Sequence, residues 1–289
     1  MRLASDCKLN IGQLATWACL LEVSAPKVGN VHRAADFVDM TFFDLAASAV
    51  AIGPIMEQAR SQTVGDTVLQ AVHATQLVTT VNTNLGTLLL LAPLAAIPRE
   101  ISCAQGIAQI TASLTVSDTE QVFEAIRQAT PGGLGTSASY DVRESCSVDL
   151  ATAMAHAADR DMISYQYANY FTTIFEEVAG RLSFLTTAGW PIDKSIVHVQ
   201  LELMSRYPDS LIARKCGVTR AEESASRAAI VLASGPAGSL DYVQSLNGFD
   251  AWLRSDGNRR NPGTTADLIA AGLFVALRDG LIKQPLKWD

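Results

Sequence analysis

Apolar residues recur three and four positions apart along nearly the whole chain, the spacing of a helix with one buried face. Ile11, Leu14, Ala15, Ala18 and Leu21 trace one such face. Phe42, Leu45, Ala46, Ala49 and Val50 trace another, and Val64, Val68, Ala71, Val72 and Leu77 a third. Strand signals are nearly absent. The stretch Val197–Leu203 (VHVQLEL) alternates strictly and taken alone reads as a half-buried strand, but a single strand has no partner to pair with. It is read here as helix. The expected fold is all-α, a compact multi-helix domain of about ten to thirteen helices at ordinary helix and loop lengths, with residues 1–289 forming one domain. Ser117–Glu120, Thr219–Glu222 and Thr264–Asp267 have the form of capping boxes at helix starts. The clearest interruption is Pro131 to Ser137 (PGGLGTS), which reads as a hinge or an active-site loop.

Composition narrows the class. The 289 residues are 48% apolar and 18% charged, enough to bury a large core and too apolar for disorder. With 22 Lys+Arg against 29 Asp+Glu the net charge is −7, which disfavours a general nucleic-acid binder and requires any anion site to be local. The most apolar run, Leu88–Ile97, is ten residues long with a proline inside it, whereas a membrane span takes about 20. It reads as a buried helix. The N-terminal residues lack the apolar core of a signal peptide. Cys7, Cys19, Cys103, Cys146 and Cys216 are odd in number and contain no CxxC pair, so reduced thiols in a cytoplasmic enzyme are the expectation.

Four segments place polar, Gly and Pro residues in this greasy background. In Glu22–Arg33, Pro26 ends a helix near Ser24, and the following turn offers Lys27, Asn30, His32 and Arg33 as a phosphate clamp or as a solvated turn. In Val81–Thr87, Asn82, Thr83 or Asn84 precedes the most apolar helix, either capping it or presenting its free amides to an anion or a ribose. In Asp209–Gly217, Arg214 and Lys215 supply adjacent cations, or an ordinary surface pair. In Asn261–Ala270, Pro262 and Gly263 force a turn, Thr264 and Thr265 open a strongly apolar helix, and Asp267 can cap, bind a metal or meet a sugar hydroxyl. Arg259 and Arg260 add charge beside it. There is no GxxxxGK[ST], HExxH or GxSxG motif.

The ordered set EVSAPKVGNVHR, NTNLGTLLLLAPL, DSLIARKCG and NPGTTADLIAAGLF resembles the triphosphoribosyl-dephospho-CoA synthase family, from about Leu14 to Leu277. The family's Pro-Lys-Pro-Gly stands here as Pro26–Gly29 with the Lys kept. Its Asn-Thr-His-Lys-Gly stands as Asn82–Gly86, with Asn84 and Leu85 in place of His and Lys. Its Ser-Pro-Gly-Gly-Ser-Ala-Asp stands as Asn261–Asp267 with the Asp kept, and an Arg-Glu pair as Arg143–Glu144. The resemblance implies an all-α transferase of the pentosyltransferase kind. It would move the triphosphoribosyl unit of ATP to the ribose 2′-hydroxyl of dephospho-CoA and release adenine. The substitutions are similar to a divergent branch associated with methanopterin-linked one-carbon metabolism, for which phosphoribosyl pyrophosphate would be the donor and a pterin precursor the acceptor.

Such a transfer develops positive charge on the sugar and calls for a carboxylate beside it, cations on the phosphates and two aligned substrates. On this reading Asp267, Asp209 and Glu22 are the catalytic candidates, with Glu144 in reserve, and Asp267 and Asp209 are candidates for holding Mg²⁺. Lys27, Arg33, Arg143, Arg214 and Lys215 would hold phosphates. Asn30, Asn82, Asn84, Asn261, Thr264 and Thr265 would meet ribose or nucleotide oxygens. A non-catalytic nucleotide-binding helical protein is the alternative of a different class, and the high apolar fraction allows a helical homodimer interface.

Overall fold

A computed structural model describes residues 8–130, 142, 144 and 146–289. The interruption at Pro131–Ser137, together with Cys7 and Arg143, lies outside the described residues. Fourteen α-helices are present among the described residues: α1 (Ile11–Ser24), α2 (Phe42–Gln58), α3 (Val64–Gln76), α4 (Leu85–Ala96), α5 (Cys103–Ala112), α6 (Val116–Ala129), α7 (Leu150–Ala157), α8 (Met162–Ala168), α9 (Gly180–Thr187), α10 (Ile192–Arg206), α11 (Ser210–Cys216), α12 (Val218–Ala233), α13 (Leu240–Arg254) and α14 (Gly263–Arg278). A π-helical turn, Ile174–Ala179, leads into α9. No strand occurs among these residues beyond a lone bridge between His32 and Ala35. The fold is the all-α one expected, with one helix more than the expected range. Helices as short as α8 and α11, seven residues each, give periodicity too little length to register. The alternating stretch Val197–Leu203 lies inside α10, whose other face is buried as well.

Two helices form the centre. In α14 every residue from Leu268 to Leu277 is buried, and in α4 every residue from Thr87 to Ala96 is. A helix apolar on all sides has to be surrounded. Accordingly α14 packs against α1, α4, α8, α9, α10, α11 and the π-helical turn. No helix among the described residues is long and apolar enough to cross a membrane. A second, smaller cluster joins Val28, Leu201, Met204, Ile212 and Phe249, with α10 contributing to both.

The helix starts differ from the expected capping boxes. Thr115 caps α6 reciprocally with Asp118, two residues earlier than the Ser117–Glu120 pair. Thr219 lies inside α12, which begins straight after Gly217. Asp267 is not a cap: it lies a full turn inside α14, and the acceptor for that helix's first amides comes from Asp209.

Candidate functional site

Both central helices begin at the same cleft. It encloses about 970 Å³, at the upper end of what ligand pockets span and large enough for a nucleotide with part of a second substrate. Glu22 of α1, Asn82–Thr87 at the start of α4, the α7–α8 junction with His156 and Arg160, and members of the segments Tyr207–Lys215 and Asn261–Asp267 line it. So do apolar side chains that include Phe37, Met40, Leu45, Leu89, Phe123 and Ile126. The four segments singled out in the sequence therefore meet, although they are far apart along the chain.

The turn after α1 is fixed from several directions. Gln200, fully buried in α10, donates through Nε2 to the Val28 carbonyl (2.8 Å) and to Asn30 Oδ1 (2.8 Å), and accepts from the Val28 amide (2.9 Å). Asn30 in turn donates through Nδ2 to Asn261 Oδ1 (2.6 Å), so that two cleft-lining amides are joined. Asp250 accepts from the Gly29 amide (2.7 Å), and Arg254 donates to the Asn30 carbonyl (2.6 Å).

Asp267 lies partly buried in the cleft wall. Thr87 donates its hydroxyl to Oδ1 at 2.6 Å. The other oxygen, Oδ2, lies over Gly86, where a Cβ would come within 2.1 Å of it. Burial pushes the Asp267 carboxyl up to about 7, against the Thr87 hydrogen bond and with the charges of Glu22 and Asp209 adding to the rise. Glu22 faces the same cleft and forms an ion pair with Lys27 at 2.8 Å, while Lys27 also donates to the Glu22 carbonyl at 2.7 Å. Cys19, one turn before Glu22, lines the cleft too, and burial raises its thiol far above the usual range.

Asp209 has a different part from the one expected. Its Oδ1 accepts from the amides of Leu211 (2.9 Å) and Ile212 (3.0 Å), and its Oδ2 from the amide and the hydroxyl of Thr265 (2.8 Å each). A carboxylate has about four acceptor positions, and all are used in capping α11 and α14. Asp209 is 3% exposed and offers no lone pair to a metal or to a substrate proton. Thr265, its partner, is likewise buried away from the cleft lining. Among the described residues no group of three His, Cys, Asp or Glu side chains is placed to hold a metal ion.

The expected phosphate ligands divide. Arg214 and Lys215 line the cleft, Arg214 paired with Asp161 at the start of α8. Lys27 is 1% exposed and committed to Glu22, so no phosphate reaches it. Arg33 lies outside the lining, its guanidinium 5.7 Å from the Trp288 ring. Arg259 and Arg260 are spent on the Lys215 and Trp252 carbonyls. Asn30, Asn82, Asn84, Asn261 and Thr264 line the cleft as expected. Thr264 accepts from Ser210 (3.0 Å), whose own oxygen accepts from the Met162 amide (3.3 Å). This hydroxyl chain locks the starts of α8, α11 and α14 together. Glu144 is exposed. Sequence reasoning missed Gly86, Thr87, Arg160 and Ser210; all but Arg160 stood inside a segment already marked.

The family model of the ATP:dephospho-CoA triphosphoribosyl transferases (CitG) matches residues 8–285. Among solved structures the chain is similar to a protein of Archaeoglobus fulgidus that carries the provisional designation triphosphoribosyl-dephospho-CoA synthase. The two are 26% identical with a TM-score of 0.64, over 81% of this chain and 98% of that one. No curated protein matches the chain.

Proposed function

The chain belongs to the CitG family of ATP:dephospho-CoA triphosphoribosyl transferases, and from that premise we propose that its cleft transfers the triphosphoribosyl unit of ATP to the 2′-hydroxyl of dephospho-CoA with release of adenine. The observation that carries this reading is the placement of the Asp267 and Glu22 carboxylates in one cleft with the cations Arg160, Arg214 and Lys215. Phosphates need the cations, and a sugar carbon that gains positive charge needs the carboxylates. The amides of Asn30, Asn82, Asn84 and Asn261 and the Thr264 hydroxyl are of the kind that orient ribose and phosphate oxygens. The apolar lining suits an adenine ring or a pantetheine arm. Holding both substrates in register supplies several kcal/mol, up to roughly 7–11 in ideal cases. Mg²⁺ enters this reading as the companion of the triphosphate, since Asp209 has no free lone pair to give it.

One feature favours a second donor. Leu85 lines the cleft where the family sequence carries a Lys, and the site is one cation poorer for it. Phosphoribosyl pyrophosphate, with a pterin precursor as acceptor, is the corresponding pair. The deciding experiment incubates the protein with each donor and each acceptor and follows free bases and pyrophosphate by chromatography. Adenine released from ATP only when dephospho-CoA is present supports the main reading. Pyrophosphate released from the other donor supports the second. ATP binding by calorimetry without release of either product would overturn both in favour of a non-catalytic binder.

A further inference from the structure

The two cleft carboxylates are built into opposite environments. Glu22 is neutralised by a buried ammonium: Lys27 lies 2.8 Å from its carboxylate, and nothing else among the described residues pairs with that ammonium except the Glu22 carbonyl. Among the described residues no cation is paired with Asp267. It has a hydroxyl donor on one oxygen, Thr87, and on the other the space that Gly86 leaves by lacking a side chain. Two carboxyl groups in one site whose surroundings favour different protonation states are the usual basis of an acid and a base. Resting on the transfer reading above, we infer that Asp267 is the general acid that protonates the departing adenine, and that the Glu22–Lys27 pair is the charge that faces the sugar and takes the proton of the attacking hydroxyl.

The step balances within the site. The C1–N9 bond of ATP breaks as the acceptor oxygen bonds to C1. The Asp267 carboxylic proton goes to the leaving base, which departs as neutral adenine. The acceptor hydroxyl proton goes to Glu22. Passage of that proton from Glu22 to Asp267 restores both groups, and no proton is gained or lost. Thr87 is the positioning residue. Its hydroxyl occupies Oδ1, so the acidic proton is carried by Oδ2, in front of Gly86. Among the described residues, the titratable groups that face Asp267 are Glu22 and Cys19 from α1 and Asp209 from the start of α11, with Lys27 acting on Glu22 from the turn after α1.

The test uses two donors, ATP and its N7-methyl derivative, whose base leaves as neutral 7-methyladenine without taking a proton. D267N is expected to lower kcat/KM with ATP by about 10²–10⁴-fold and with the methylated donor by less than about tenfold. E22Q is expected to lower both. In the wild-type protein kcat/KM with ATP should fall as pH rises through about 7 and keep its level with the methylated donor. Calorimetric ATP binding by each variant separates lost chemistry from a lost fold. Equal losses on both donors in D267N, or a wild-type rate that rises through pH 7, would overturn the assignment while the transfer reading stands. A wild-type protein that frees no base from either donor would overturn both.

Discussion

A carboxylate does opposite work at Asp209 and at Asp267. At Asp209 four hydrogen bonds spend every acceptor position on the first turns of α11 and α14. D209A should therefore cost stability, about 2–4 kcal/mol for two helix starts left without an acceptor, read as a lower urea midpoint. At Asp267 the folded protein holds a proton up to about pH 7, whereas the ordinary carboxyl releases it near 3.8. The folded state thus binds more protons between these values, and its stability declines as pH rises across that window. D267N has no such proton. The melting temperature of the variant relative to the wild type should rise between pH 5 and pH 8. The sequence marked both aspartates and could not tell them apart, because the partners that distinguish them are distant along the chain, Thr265 for Asp209 and Thr87 for Asp267. Lys27 misled although its partner is only five residues away. A cation in a polar turn reads as available, and only the fold shows it buried against Glu22.

Helix-level features were legible to the extent that they are periodic. The faces of α1 and α3 were read directly from spacing, except that Leu77 falls just past α3 and is exposed; in α2 the buried side is Ser48, Ala49, Ile52, Gly53 and Met56, and Val50 of the expected face is exposed. The end of α1 at Ser24 followed from Pro26. The starts of α6 and α12 were misplaced because Ser, Thr and Asp are frequent enough to form several box-like sets, and only packing selects one. At the junction of α4 and α14 a glycine decides the geometry. G86A places a methyl about 2.1 Å from Asp267 Oδ2 and should cost roughly 1–3 kcal/mol together with most of the activity. G248A, in the middle of α13 with no atom within 4 Å of the new methyl, should instead stabilise by about 0.5–1 kcal/mol. Thermal melts of the pair check this. Q200L strips three hydrogen bonds from the turn at Val28–Asn30. Roughly 2–4 kcal/mol should be lost, and substrate affinity should fall with it, since Asn30 and Asn261 lose their common anchor.

At the scale of the molecule, an acidic chain concentrates Arg160, Arg214 and Lys215 on one cleft. R214Q combined with K215Q should raise the KM for ATP roughly ten- to hundredfold with little change in kcat, and should weaken the dependence of KM on salt. Steady-state kinetics at two ionic strengths checks both. That segments near residues 22, 84, 210 and 264 would converge was legible from their chemistry. How their members divide between lining and scaffold was not, since that is set by which side of each turn faces the core. The order of these segments along the chain has a last consequence. The helix that the others surround, α14, is the final one of the described helices, and it brings Asp267 with it. During synthesis the earlier helices emerge from the ribosome with their inner faces uncovered. A chain cut before Gly263 should therefore be inactive and expose the apolar faces of α1, α4 and α10 that α14 otherwise covers, which dye binding and protease sensitivity would report.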